Sequence, residues 1–242
     1  MKQRLVNFKD SFKFDITFLK ILLYDMLFYA IVVPTLFLAS YLMTSLMGGI
    51  DPNILTQEMI AAKSPAIQAV ASQMESVLVV AVITSILTIL ITLAAWSLSR
   101  GLIYTKLLKK KLTKKLFFKF AGSTFVLAIL ITNLLLVTSI VSKIISPYLL
   151  YAVILIITYF LILNFVALVK TNKIFCSIGD ALSIGTKKLP KLIIPCILIL
   201  VVFAVLSALI LLTPLKSTKL IPLVIFALFM TWARIYFVSE LK

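Results

Sequence analysis

Histidine is absent from the 242 residues. The commonest general base and the commonest metal ligand are therefore missing, and with them histidine zinc sites, histidine-ligated haem and Ser-His-Asp triads. Cysteine is almost absent. Cys176 and Cys196 form no CxxC pair, and two thiols cannot build a four-ligand zinc site, so two reduced thiols in or near a membrane are expected. Acidic residues number only 8, and none pair at catalytic spacing. Asp10, Asp15, Asp180 and Glu240 read as solvated or interfacial. GxSxG, HExxH and a Rossmann glycine set are all missing, and the stretch 179–188 departs from the P-loop pattern in spacing and in its lysine. No catalytic residue, cofactor site or metal site is expected, and the chain reads as a non-enzyme.

Charge of any kind is scarce. Charged residues make up 13% of the chain, apolar ones 62%, and the mean hydropathy is +1.18. A soluble domain carries about 25% charged and about 45–50% apolar residues. The balance excludes a water-soluble globule and a disordered tail, and it leaves a polytopic membrane protein.

A helix needs about 20 apolar residues to cross the hydrocarbon core. Runs at 21–47, 76–98, 121–142, 148–169, 192–213 and 220–238 meet that requirement and are too continuous for the alternating strands of a barrel. The first run has too long a basic leader, and no cleavage site follows it, so it reads as a span rather than a secretory signal. Residues 1–20 then form an amphipathic leader, and 21–242 form one six-helix membrane domain.

The charges that remain are lopsided. All but four of the 24 Lys and Arg fall in the leader, in the connections 99–120 and 170–191, or at the tail; the exceptions are Lys63, Lys143, Lys216 and Lys219. The positive-inside rule places both termini in the cytoplasm of a cell bearing this protein in its plasma membrane. With a net charge of +16, anionic lipid headgroups are the expected partner, rather than nucleic acid, and another membrane protein is a second. Lys109, Lys110, Lys111, Lys114, Lys115 and Lys119 form the densest candidate contact, although topology alone would also place them there.

Leu5, Phe8, Phe12, Ile16 and Leu19 recur at helical spacing in the leader. So do Tyr104, Leu108, Leu112, Leu116 and Phe120 in the second connection, and Ile174, Ile178, Ala181 and Leu189 in the fourth. Each predicts a helix lying in the interface, apolar side down. The chain then divides into three units of surface helix, outward helix and returning helix. Trp96 with Arg100 and Trp232 with Arg234 close the second and sixth spans alike. Ser146-Pro147 and Thr213-Pro214 mark tight outer turns. The long outer connection 48–75 opens on Gly48-Gly49 and carries helix-start signals at Asp51-Pro52 and Ser64-Pro65. It predicts a small extracytoplasmic helical cap whose second helix runs unbroken into the second span. A lid or docking surface is the functional alternative.

Two ionisable residues fall inside the predicted spans, Asp25 and Arg234, at matching depth near the cytoplasmic boundary. A pair closing the first helix against the sixth is the preferred reading. A proton or cation relay at Asp25, or separate snorkelling of the two groups, are the alternatives. Thr84, Thr88 and Thr92 repeat every fourth residue and suit close helix packing. Asn133 and Asn164 are costly to leave unpaired and are expected to face the bundle interior, where either could line a solute path.

The segment Cys176-Ser177-Ile178-Gly179-Asp180-Ala181-Leu182, followed by Lys187-Lys188-Leu189-Pro190-Lys191-Leu192 entering a span, resembles poorly characterised prokaryotic and archaeal six-helix membrane families. The membrane domain attached to some glycerophosphodiesterases is one of them. The resemblance implies interfacial helices preceding hairpins of spanning helices, and it carries no catalytic residue. Together these features predict an all-α membrane protein acting as an assembly, scaffold or accessory subunit. A small permease or lipid transporter is the alternative. A polar cavity near the midplane would favour transport, and a tightly packed interior the scaffold.

Overall fold

The computed structural model describes residues 8, 11, 12, 15–47, 65–144, 148–212 and 220–241. Among them there are seven helices and no strand: α1 Ile16–Met47, α2 Pro65–Leu107, α3 Lys114–Ile144, α4 Tyr148–Thr171, α5 Ile174–Lys187, α6 Leu189–Leu212 and α7 Leu220–Leu241. All but α5 are long and apolar enough to span a bilayer. The protein is therefore an all-α, multi-pass membrane protein. In hydrocarbon every backbone N–H and C=O must bond within its own segment, which is why uninterrupted apolar runs become helices. The first part of the outer connection (48–64), Lys63 within it, and the turns at Ser146-Pro147 and Thr213-Pro214 lie outside the described residues. The helix signalled at Ser64-Pro65 does begin at Pro65 and continues unbroken into the second span.

Two compact units divide the chain. One is Phe28–Trp96, and the other joins Met1–Leu27 to Ser97–Lys242. In the smaller unit Phe28 meets Trp96 edge to face, with centroids 5.4 Å apart. Thr84, Thr88 and Thr92 lie half-buried along its α2.

The larger unit holds the core. Its buried apolar side chains include Ile21, Ile103, Tyr104, Leu107, Leu116, Phe120, Leu168, Leu192, Phe237 and Leu241. All belong to the helix ends that adjoin the leader, the lysine-rich connections or the tail, hereafter the basic end. Farther along the same helices Ile129, Leu136, Leu155, Val201 and Leu209 are exposed, as expected of surfaces built for lipid tails. Beside this core Trp232 stacks between Phe12 and Tyr236, at 4.9 and 5.7 Å. Its Nε1–H donates to Ser11 Oγ at 2.9 Å, tying the leader to α7.

Two of the expected surface helices differ from the sequence reading. The second connection holds no separate helix. Tyr104 belongs to the last turns of α2, Leu116 and Phe120 to the first turns of α3, and only 108–113 lie between. Burial of these large side chains among α4 residues, rather than at an interface, explains why the spans extend. The fourth connection does hold a separate helix, α5. The face it buries is made of Ser177, Ala181 and Gly185, one small residue per turn. Small residues let helices approach closely. A Cβ on Gly185 would come within 2.5 Å of Phe160 on α4.

Candidate functional site

Asp25 lies on α1, Arg100 on α2 and Arg234 on α7, and the three side chains are 6%, 5% and 11% exposed. Arg100 Nη1 donates to Asp25 Oδ1 at 2.9 Å. Arg234 Nη1 donates to the other oxygen, Oδ2. One carboxylate thus ties three helices, each oxygen taking one guanidinium. Arginine suits this role because its charge is fixed and its donors are held in a rigid fork. Two cations on one anion leave the cluster with a net charge of +1. Tyr104, one turn beyond Arg100, is buried in the adjoining core.

Sequence depth points to Asp25 and Arg234 but not to Arg100, which by its place in the sequence reads as part of the second connection. Its signal was nonetheless present in the Trp96–Arg100 and Trp232–Arg234 similarity, since both arginines close a span behind a tryptophan.

A second polar cluster joins α3, α4 and α5. Asn164 Nδ2 donates to Ser123 Oγ at 2.9 Å, and Ser177 Oγ lies 3.0 Å from Asn164 Oδ1. All three residues are buried, so Asn164 serves as an interhelical tie. Asn133 is exposed instead, and its amide donates to Ile129 O on its own helix at 2.8 Å. That bond removes the cost that led sequence reasoning to place it inside.

The lysines separate into groups. Lys110 Nζ donates to Val169 O at 2.7 Å, and Lys119 Nζ donates to Asn172 Oδ1 at 3.0 Å as well as to Asn172 O. Both cap the carbonyl end of α4, where unpaired acceptors and the helix dipole favour a cation. Lys109, Lys111, Lys114 and Lys115 are exposed. Lys109 takes φ 54°, the left-handed region that favours glycine.

Lys106, Lys109, Lys110 and Lys111 wall a cavity of about 570 Å³ at the basic end, with Ser11, Asp15 and Thr17 opposite. Two other clefts between the described spans are oily. One of about 460 Å³ lies among Leu155, Tyr159, Phe160, Gly185, Ile193 and Cys196. Another of about 260 Å³ lies between α6 and α7, against Phe203, Leu206 and Phe229. Both cysteines are free thiols, Cys176 exposed and Cys196 half-buried. Among the described residues no three His, Cys, Asp or Glu side chains come together as a metal site would require.

These features define a multi-pass helical membrane protein whose charged and polar ties concentrate in its larger unit. Comparison with protein-family models, curated proteins and solved structures finds no match to this chain.

Proposed function

We propose that the chain is a non-enzymatic membrane subunit that works by helix packing and by contact with anionic lipid, as an assembly or scaffold component. The observation that carries this reading is the contrast along the helices of the larger unit. Their basic ends are bound together by the Asp25 cluster, the Asn164 cluster and a continuous apolar core. The lengths beyond expose apolar side chains and enclose apolar clefts. Asn164, the residue best placed to line a solute path, is occupied by Ser123 and Ser177. A surface of this kind suits lipid tails and other membrane helices more than a hydrated solute. The excess of lysine at the basic end agrees with a plasma-membrane protein that keeps this end in the cytoplasm, against anionic headgroups.

The test is reconstitution into vesicles carrying a headgroup-labelled fluorescent phospholipid, with dithionite added outside. A scaffold leaves the inner-leaflet probe as well protected as in protein-free vesicles. Progressive loss of that protection would replace this reading with a lipid transporter.

A further inference from the structure

We propose that the basic-end cavity is a binding site for a phosphate group, presented either by the headgroup of an anionic phospholipid or by a soluble phosphate ester. The proposal deepens the lipid-contact reading above and rests on it for the lipid source alone. The cavity's volume of about 570 Å³ falls within the range of about 300–1,000 Å³ usual for small-ligand sites. Among the described residues its lining contains four lysines and a single carboxylate, Asp15. Asp15 Oδ1 is already engaged, accepting the Phe18 N–H at 2.8 Å as it caps α1. Lys110 is partly engaged with Val169 O, while Lys106, Lys109 and Lys111 have no carboxylate within ion-pair distance among the described residues. The wall they form therefore presents a surplus of three positive charges to one cavity.

The hydroxyls divide by what they can still do. Ser11 Oγ donates to Phe8 O and accepts from Trp232, so it is spent. Ser239 Oγ donates to Tyr236 O. Thr17 lines the cavity half-buried, with its hydroxyl able to donate to a phosphate oxygen. Leu107, Ile235 and Val238 supply an apolar wall, suited to the glycerol carbons that follow a headgroup phosphate.

Lys109, at φ 54°, is the left-handed residue that ends α2: its N–H donates to Lys106 O at 3.1 Å, and the N–H of Lys110 reaches back to Thr105 O at 2.8 Å. This stop turns the chain at the end of α2, so that Lys109, Lys110 and Lys111 all line the cavity that Lys106 lines from the helix itself. Basic pockets between spans are a recurrent means of holding phosphorylated headgroups.

The experiment uses the full chain in neutral phosphatidylcholine nanodiscs at one fixed ionic strength. Phosphatidic acid is added to the disc in one arm, and glycerol 3-phosphate to the buffer in the other. The readout is retained lipid by native mass spectrometry, or calorimetric affinity for the soluble ester. Variants are Lys106→Gln, Lys109→Gly and Lys111→Gln, with Lys115→Gln as the control outside the cavity. Lys109→Gly also relaxes the backbone, so its melting temperature should equal or exceed that of the parent. Each cavity variant is expected to weaken binding about fivefold, while Lys115→Gln changes it less than twofold. The arm in which that pattern appears identifies the source of the phosphate. Equal loss in all four variants would overturn the pocket and leave a diffuse basic surface, so the lipid-contact reading would survive. Failure of both probes to bind the parent protein would overturn the pocket and that reading together.

Discussion

The residue that most constrains this molecule is Asp25, because two arginines depend on it. Its removal leaves Arg100 and Arg234 as two buried like charges that have lost their shared counter-ion. Breaking a buried pair in this way costs about 3–5 kcal/mol. Removing one arginine instead leaves a neutral one-to-one pair. The expected order is therefore that Asp25→Asn lowers the melting temperature in detergent more than Arg234→Gln or Arg100→Gln does. Equal or greater damage from Arg234→Gln would show that the second arginine does more than add surplus charge. A swap of Asp25→Arg with Arg234→Asp is not expected to restore stability, since it sets a new guanidinium on α1 beside that of Arg100. Sequence order reveals the depths of Asp25 and Arg234 but not the second arginine on Asp25, Arg100. A charge next to a polybasic connection looks like topology until the helix carrying it is known to continue past it. Here α2 runs on to Leu107.

At the scale of elements, the six spans were legible because hydrocarbon leaves few solutions for a long apolar run. The surface segments were less legible, because an amphipathic repeat does not say whether its apolar side meets lipid or protein. Tyr104 and Phe120 have the spacing of an interfacial helix, yet they are 1% and 0% exposed within the core. In α5 the hydrophobic pattern rests on Ile174, Ile178 and Ala181, whereas the buried face is made of Ser177, Ala181 and Gly185. Those three carry too little hydrophobic signal to stand out, although small residues at four-residue spacing are themselves a packing cue. The polar ties follow the same rule: an asparagine within a span, such as Asn164, signals a bonded interior position, whereas serines such as its partners Ser123 and Ser177 carry no such signal.

The same helix supplies a paired test. Gly185→Ala drives a methyl into Phe160 and Leu163, at 2.5 and 3.0 Å. Overpacking of that kind costs about 1–3 kcal/mol. Gly179 has no heavy atom within 4 Å of an added Cβ. Gly179→Ala should stabilise the helix by about 0.5–1 kcal/mol through reduced backbone freedom. Opposite shifts in melting temperature are the expected result. Two shifts of the same sign would mean that helix propensity, rather than the α4–α5 approach, governs both sites.

At the scale of the whole molecule, the proposal of a cytoplasmic basic end rests on an uneven distribution of charge over the chain. The membrane potential and the insertion machinery act on lysines and arginines near span ends, so a bias of this size favours the orientation proposed above. A native reporter exists for the result. Cys176 lies exposed on α5, in the connection that also carries Lys170, Lys173, Lys187, Lys188 and Lys191. Cys196 lies half-buried within the span α6, away from aqueous reagents. A membrane-impermeant maleimide should therefore leave the protein unlabelled in intact cells and label it in inverted vesicles. Cys176→Ser should abolish that label, and Cys196→Ser should preserve it. Labelling of Cys176 from outside intact cells would reverse the orientation, moving the basic cavity and the Asp25 cluster away from the cytoplasmic leaflet. The phosphate site would then face a compartment poor in anionic headgroups, and a soluble ester would become the one ligand left to it.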